Sequence, residues 1–403
     1  MGTEAEKPLV LIISNFYLPG SGSGGGTRTI VNTVERLSDR LEFRIITRGY
    51  DAGPEKHWYD TDGLGQWNRV GKAEVYYLKR DSDIRTVLPG AVRELNPAVL
   101  YANSFFSPLT VASLRLRKQG RTGGLPFILA PCGELSKGAR RLKLLKKAVF
   151  LRSAVAAGLY SGIIWKASSE LEAEEIGALR IKDAEIHIAP DLPPAGILEG
   201  FDPGRKPPKD VGSVRLVFVS RFDRKKNLKW LLDNVNLPPD SAKLDVFGTV
   251  EDDRYLEEFL EAARIGRSGI DVSFKGPLEH AEVACTLFKY HFKVMPTLGE
   301  NFGHVFLESL AAGCPLIISD RTPWIDLEAQ GAGWSVSLKD PERWQEVLKR
   351  CVAMGDDEYR KMSVAAREYA DSILSDPSIE KRTVELIESA ILSGDAAAGG
   401  GRS

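Results

Sequence analysis

The sequence predicts an α/β fold made of two doubly wound, Rossmann-like domains. Short runs rich in β-branched and aromatic residues alternate with longer amphipathic segments, which is the pattern of βα units around a parallel sheet. A proline-rich stretch with little periodicity interrupts this alternation once, near the middle of the chain. Because 403 residues are enough for two hydrophobic cores, we expect one domain on each side of that stretch.

The first domain is predicted from a series of strand-like runs. They are Leu9–Ser14, Phe43–Thr47, Val75–Leu78, Val99–Tyr101, Phe127–Ala130, Ile163–Lys166 and Ile186–Ala189. The linker that follows is marked by Pro190, Pro193, Pro194, Pro203, Pro207 and Pro208. We therefore place the first domain at residues 1–200.

The second domain begins where the alternation of strands and helices resumes. Its strand-like runs are Arg215–Ser220, Leu244–Gly248, Val272–Lys275, Phe292–Pro296, Pro315–Ser319 and Gly333–Val336. The chain then becomes helical over Pro341–Met354, Asp357–Leu374 and a last segment near Ile379–Ile391. We place this domain at residues 201–360, the terminal helices at 361–392 and a disordered tail at 393–403.

Bulk composition restricts the class of function. The formal net charge is −1, with 27% charged residues, and this balance gives no sign of a nucleic-acid binder. The 4 cysteines are isolated and the 5 histidines lack ligand spacing, so we expect free thiols in a reducing compartment and no metal. The polar start predicts no signal peptide, and no apolar run reaches the roughly 18 residues of a membrane span. A cytoplasmic enzyme is expected.

Two carboxylates of the second domain flank a glycine-containing turn. Glu300 precedes the turn, and Glu308 lies just inside an apparent helix, in the run Gly-Glu-Asn-Phe-Gly-His-Val-Phe-Leu-Glu. At the helical rise the pair spans roughly 12 Å, which suits a sugar at one end and a ribose at the other. The helix start would offer free N–H groups and a positive dipole end to a diphosphate between them. An amphipathic helix with solvated glutamates is the structural alternative.

Two cations follow the first strand of the same domain. Arg221 comes directly after the run Val-Phe-Val-Ser, and Lys226 lies five residues further on. The carboxyl ends of parallel strands are where doubly wound sheets bind ligands, and Arg and Lys suit phosphate oxygens. A solvated loop would be the simpler interpretation of the cluster alone, but its pairing with the two glutamates favours a ligand site.

Together these runs resemble the Glu-x7-Glu and Gly/Ser-Arg-x4-Lys elements of retaining glycosyltransferases of family 4, which have the GT-B fold. The resemblance implies two Rossmann-like domains facing each other across a cleft, with a terminal helix crossing back to the first. It implies sugar transfer from a nucleoside-diphosphate sugar, without a metal or other cofactor. Glu300 would bind the sugar hydroxyls and Glu308 the ribose. Arg221 and Lys226 would stabilise the charge of the leaving diphosphate.

The resemblance also assigns further donor-binding residues. In the second domain these are Gly248, Gly276, Pro277, Asn301, Phe302, Gly303, His304 and Thr322. In the first domain a glycine-rich loop would face the donor, with Gly25 and Gly26 making the close approach. The same loop contains a literal GxGxxG motif, but the spacing from the first strand and the arginine ending the second strand do not fit the dinucleotide fingerprint.

Two other loops of the first domain are expected to bind the acceptor or assist catalysis. Asn103, Ser104 and Phe105 follow one strand and are the predicted acceptor contacts. Glu134 follows the next strand and is the candidate catalytic helper, with helix capping as the alternative. Many family 4 enzymes have a histidine in this second loop, and this chain has none there, so the identity of the helper stays open.

The segment Lys137–Arg152 is basic and amphipathic. A helix of this kind is typical of binding to an anionic membrane surface, although a solvated face or simple packing is the alternative. Membrane contact on the inner, cytoplasmic face would fit a lipid-linked acceptor, and a glycan is the other expected acceptor. We therefore expect bacterial surface polysaccharide or glycolipid synthesis.

Three other functions remain open from the sequence. An NAD-dependent oxidoreductase would leave the glutamate pair and the two cations unexplained. A non-catalytic GT-B scaffold would explain the missing histidine but not the intact donor residues. A nucleotide-sugar epimerase on the same fold would use the donor residues without a second sugar substrate.

Overall fold

The structure is a computed structural model that describes residues 7–20, 24–53, 56–59, 62–136, 144–194 and 201–399. The chain divides into two compact units. The first consists of Met1–Ala195 together with Pro377–Ser403, and the second of Gly196–Asp376. Each unit contains its own sheet, so the prediction of an α/β fold with two doubly wound domains is confirmed.

The first unit is built on a sheet whose described strands have the order β3-β4-β2-β1-β5-β6-β7-β8. Their bounds are β1 Leu9–Ser14, β2 Glu42–Arg48, β3 Trp67–Val70, β4 Ala73–Leu78, β5 Val99–Asn103, β6 Phe127–Ala130, β7 Ile164–Ala167 and β8 Glu185–Ile188. All neighbours pair in parallel except β3 and β4, which are antiparallel. The central strands are buried on both faces, as βαβ crossovers require.

Helices cover this sheet, and their amphipathic faces complete its core. They are α1 Gly25–Leu37, α2 Ile84–Leu95, α3 Pro108–Lys118, α4 Leu144–Ala156 and α5 Glu170–Gly177. The last helix of the chain, α12 Pro377–Gly399, also belongs to this unit. Arg36 of α1 forms an ion pair of 3.8 Å with Glu380, which lies in the first turn of α12.

The second unit has a parallel sheet whose described strands have the order β11-β10-β9-β12-β13-β14. Their bounds are β9 Val214–Val219, β10 Ala242–Phe247, β11 Ile270–Gly276, β12 Phe292–Met295, β13 Leu316–Ser319 and β14 Gly333–Val336. The strand order reverses between β9 and β12, which makes a topological switch point of the kind where such sheets bind ligands. The helices around it are α6 Leu228–Asn234, α7 Asp253–Ile265, α8 His280–Phe288, α9 His304–Ala311, α10 Pro341–Ala353 and α11 Asp356–Leu374.

The structure differs from the sequence expectations at three places. Strand β3 was not expected, because an edge strand of only four residues, followed by a tight turn at Gly71, shows too little alternation in the sequence. Helix α12 continues to Gly399, past the expected start of the tail at 393, because its Asp-Ala-Ala-Ala run has high helix propensity. The boundary between the units falls at Ala195, and α11 lies in the second unit. Of the basic segment, 137–143 lies outside the described residues.

Candidate active site of the second unit

The candidate site lies at the carboxyl ends of β9, β12 and β13. Arg221 and Lys226 stand on the loop after β9, and Glu300 on the loop after β12. Glu308 stands on α9, the short helix that this second loop enters. The structure therefore brings together four charged residues that the sequence predicted for one site.

Lys226 and Glu300 form a direct ion pair through Nζ and Oε2. Their side chains are only 9% and 18% exposed, so the pair is largely shielded from solvent. Burial alone would raise the pKa of Glu300, but the ammonium groups of Lys226 and Lys225 and the Arg221 guanidinium lower it to about 2. Glu300 is therefore a permanent anion at neutral pH, with one oxygen held and further lone pairs to accept hydrogen bonds.

The loop that carries both cations is fixed by its own backbone. The Lys226 amide donates to the Asp223 side chain at 3.0 Å, which forms a turn, and Asn227 takes a left-handed conformation with φ of 59°. Asn227 Nδ2 donates to the Pro296 carbonyl at 3.1 Å, and the Leu298 amide donates to the Lys225 carbonyl at 2.8 Å. The two loops are thus joined directly, which fixes Lys226 against Glu300.

Arg221 is held by a residue of the loop that follows β10. Its guanidinium donates to Glu251 at 2.5 Å, and both side chains stay about one third exposed. Gly248 packs beneath it with φ of 155°, and a Cβ at this position would lie 1.8 Å from the Ser220 carbonyl oxygen. Gly248 therefore serves the close approach of two chain segments next to Arg221. Glu251 is a site neighbour that sequence reasoning missed, since nothing in its spacing links it to Arg221.

Glu308 is buried on α9, at 7% exposure. The Nδ1 atom of His280, at the start of α8, lies 3.8 Å from Glu308 Oε1. His280 was not predicted as a site residue; its position on the neighbouring helix start becomes visible only in three dimensions. The span from Glu300 to Glu308 crosses the N-terminal turn of α9, as the sequence predicted.

The glycine turn before α9 is packed by aromatic rings. Gly303 has φ of 78°, and a Cβ there would meet the Phe306 ring. The Trp324 indole donates to the Phe302 carbonyl at 2.5 Å, while His304 packs edge-to-face on the Phe302 ring. These contacts hold Phe302 and His304 in the protein interior, at 8% and 7% exposure.

The other predicted donor residues of the second unit differ in burial and in hydrogen bonding. Thr322 is buried, and its hydroxyl accepts from the Trp324 amide at 3.2 Å, so it forms the turn after β13. Gly276 ends β11 with φ of 82°, and the Gly248 amide donates to its carbonyl at 2.8 Å. Pro277 is exposed and Asn301 is half-buried, and both follow strands at the same edge of the sheet.

In the first unit, Gly25 and Gly26 begin α1 at the carboxyl end of β1. The amide of Asn103, which ends β5, donates to the Gly26 carbonyl at 3.0 Å and so fixes this helix start. Asn103 is buried at 3% exposure, and its oxygen accepts from Cys132 Sγ at 2.8 Å. Gly20 is described, while residues 21–23 of the glycine-rich loop lie outside the described residues.

Glu134 and the acceptor loop form one hydrogen-bonded unit. The carboxylate of Glu134 accepts from the Ser104 hydroxyl at 2.8 Å and from the Phe105 and Phe106 amides at 2.8 and 2.7 Å. The Phe105 ring is fully buried and stacks on Tyr160 in the core, so the ring itself is not open to an acceptor, and the acceptor role of this loop stays a prediction. An aromatic residue at a strand end can face either way, and the sequence did not reveal which.

Two further properties concern the described part of the chain. None of the helices seen there is long and apolar enough to cross a bilayer. Nor do three or more His, Cys, Asp or Glu side chains come together there in a group that could hold a metal ion.

Comparisons with known proteins relate the chain to glycosyltransferases. Residues 204–369 match the family model described as glycosyl transferases group 1. A curated relative, the D-inositol 3-phosphate glycosyltransferase of Corynebacterium urealyticum, is 29% identical over 140 residues, which are 34% of this chain. The match spans 31% of that relative's length.

Solved structures share the fold over nearly the whole chain. A sucrose-phosphate synthase from Thermosynechococcus elongatus has a TM-score of 0.71 at 16% identity, covering 96% of this chain and 100% of that one. The Anabaena protein HepE, solved with UDP and glucose, has a TM-score of 0.66 at 14% identity, covering 95% and 100%. WaaG, a glycosyltransferase of lipopolysaccharide biosynthesis, has a TM-score of 0.60 at 14% identity, covering 95% and 98%.

The two Rossmann-like units and the likeness to these solved structures define the GT-B fold. The chain resembles glycosyltransferases of the family 4 type, and residues 204–369 of its second unit match the model described as glycosyl transferases group 1. The resemblance seen in the sequence is confirmed to this extent. The retaining mechanism stays a prediction.

Proposed function

We propose that this protein is a retaining glycosyltransferase that moves a sugar from a nucleoside-diphosphate sugar to a glycan or lipid-linked acceptor. The observation that carries the proposal is the buried Lys226–Glu300 pair, with Arg221 beside it at the carboxyl edge of the second sheet. A cation held against an acceptor-only carboxylate suits a ligand that has phosphate oxygens next to hydroxyl groups.

Each residue has a role in this proposal. Glu300, kept ionised by its cationic neighbours, accepts hydrogen bonds from the donor sugar hydroxyls. Glu308, one helix turn deeper, accepts from the ribose. Arg221 and Lys226 balance the negative charge that grows on the diphosphate as the glycosidic bond breaks, which is the work a metal ion does in other transferases. The acceptor then attacks on the face that the diphosphate leaves, so the sugar keeps its configuration.

Uridine is the first base to test. HepE was solved with UDP and with UDP-glucose, and a trehalose-6-phosphate protein from E. coli with UDP-2-fluoro glucose. One relative is a D-inositol 3-phosphate glycosyltransferase and one structural neighbour takes part in lipopolysaccharide biosynthesis, which supports a glycan or lipid-linked acceptor. A role in surface polysaccharide or glycolipid synthesis, peripheral membrane binding and independence from metal belong to the same proposal.

An epimerase acting on the donor alone is the second candidate. It would bind the nucleotide sugar with the same donor residues, but without a second sugar substrate. Turnover that depends on an added acceptor would favour the transferase, and turnover of the nucleotide sugar alone would favour the epimerase.

The test is thermal stability against UDP-, GDP- and ADP-sugars, their free diphosphates and NAD, with a chelator present. A ligand that binds the native state raises the melting temperature. We expect a shift with one nucleoside diphosphate that Arg221→Ala abolishes. Arg224→Ala is the matched control, because Arg224 on the same loop is held by Asp252 and Glu258. A shift with NAD alone, or none at all, would contradict the proposal.

A further inference from the structure

A lysine lies inside the sheet of the second unit, directly behind the candidate site. Lys293 belongs to β12 and is fully buried, at 0% exposure. Its neighbours along the strand, Phe292 and Val294, pack in the large core cluster on one face. Because side chains alternate along a strand, Lys293 faces the other side, where its partner in register, Val217, belongs to a small apolar cluster. Burying an ammonium in such a place opposes folding.

The ammonium of Lys293 is attached to the strand that leads into the site. Its Nζ donates to the Val219 carbonyl oxygen at 2.8 Å. Val219 is the last residue of β9, and two residues later the chain reaches Arg221. Those two residues span at most roughly 7 Å, so the lysine charge lies close beneath the loop that carries the phosphate-binding cations.

The charges that act on Lys293 are those of the candidate site. Burial lowers the pKa of Lys293 to about 7 and is the largest influence. Cys314, Glu308 and Glu300 raise the pKa, while Lys226 lowers it. Near neutral pH the group is therefore divided between ammonium and amine, and its state responds to charge added nearby.

We propose that Lys293 is a positioning residue that takes up a proton when a nucleoside diphosphate binds to the second unit. This inference rests on the proposed function. The bound diphosphate adds negative charge near the buried amine of Lys293, which then binds a proton. The resulting ammonium stabilises this negative charge, and its hydrogen bond to the Val219 carbonyl positions the loop that carries Arg221. The residue touches no substrate.

The sign of the resulting pH dependence follows from linkage. A bound anion favours the ammonium, so the pKa of Lys293 is higher in the complex than in the free protein. Between these two values binding consumes a proton, and affinity falls as pH rises. A single charge interaction at this depth corresponds to roughly tenfold in affinity. Above the higher value the lysine is neutral in both states and the dependence ends.

The experiment is calorimetric titration of the wild-type protein with UDP, GDP and ADP from pH 6 to pH 9. At pH 8, titrations in two buffers of different ionisation enthalpy give the number of protons taken up. We expect uptake in the wild type and an affinity that decreases about tenfold across the range. In Lys293→Met we expect the weaker affinity, and only the proton exchange and pH dependence that the nucleotide itself contributes. Protons that the nucleotide itself exchanges are the same for both proteins, so they cancel in the difference between the wild type and Lys293→Met.

Lys209→Met is the matched control. Lys209 is another buried lysine of the second unit, but its Nζ donates to the carbonyls of Asp210, Val352 and Met354, away from the candidate site. This variant should retain the wild-type pH profile. Lys293→Arg, which stays charged, should bind tightly up to pH 9. Equal profiles in wild type and Lys293→Met would overturn this inference alone. No binding of any diphosphate to the wild type would overturn the proposed function and this inference with it.

Discussion

At the scale of single residues, the two cations after β9 carry the sharpest prediction. Arg221→Ala and Lys226→Ala should each lower turnover by about 10²-fold or more, because charge developing on the leaving diphosphate loses a fixed partner. Initial rates with the donor found by thermal shift, and circular dichroism as a check of folding, measure this effect. Arg224→Ala should stay near the wild-type rate, since its side chain is bound to Asp252 and Glu258. Wild-type rates in both site variants would refute the assignment.

Glu300 makes a prediction about acid stability. Its pKa of about 2 lies below the ordinary 4.5, so the ionised group stabilises the fold fully above pH 4.5 and loses this effect as pH falls toward 2. Glu300→Gln should therefore reduce the free energy of unfolding by roughly 2–3 kcal/mol at pH 7. The difference should be about halved near pH 3. Urea unfolding at pH 7, 5 and 3 measures it, and a difference that stays constant with pH would contradict the ion-pair account.

At the scale of elements, the loop after β5 depends on a single carboxylate. Glu134 accepts three hydrogen bonds from residues 104–106. A glutamine is neutral and has a single acceptor oxygen, so it cannot replace all three of these charge-assisted hydrogen bonds. Glu134→Gln should speed amide exchange at Phe105 and Phe106 and raise the KM for acceptor, with the KM for donor unchanged. Glu170→Gln, at an exposed position on α5, is the control. A fall in kcat alone would instead support Glu134 as a catalytic group.

The elements also show how far the sequence could be interpreted. The strands β1, β6 and β14 have the predicted bounds, because buried parallel strands give unbroken apolar runs between turn residues. Arg221, Lys226 and Glu300 were predictable because strand ends of a parallel sheet meet at one edge. Glu251 and His280 were not, since their partners lie on other elements. Lys293 was overlooked, because a charge within an apolar run does not reveal that the strand buries it.

At the scale of the whole molecule, the titratable groups buried in the second unit determine how stability changes with pH. Burial lowers the pKa of Lys293 to about 7 and of Lys206 to about 8, against an ordinary 10.5. The unfolded chain therefore binds more protons than the native state above pH 7, and stability rises with pH there. The thiols of Cys314 and Cys351 have the opposite effect on stability, because burial raises their pKa. Near pH 9 they ionise only in the unfolded chain, so their contribution to stability falls as pH rises there.

These opposing contributions predict that the second unit is most stable between about pH 9 and pH 10, because the effect of the two lysines outweighs that of the two thiols until the thiols of the unfolded chain are largely ionised. Unfolding in urea from pH 6.5 to pH 10, followed by tryptophan fluorescence, measures the curve, since Trp230, Trp324, Trp334 and Trp344 report on this unit. Lys293→Met should be more stable than the wild type at pH 7 by several kcal/mol, and this gain should shrink as pH rises toward 10. Lys229→Met, which removes a partly exposed lysine paired with Asp233, should leave the slope unchanged. If Lys293→Met keeps the wild-type slope, the buried amine does not titrate near neutrality, and proton uptake on diphosphate binding would have to arise from another group.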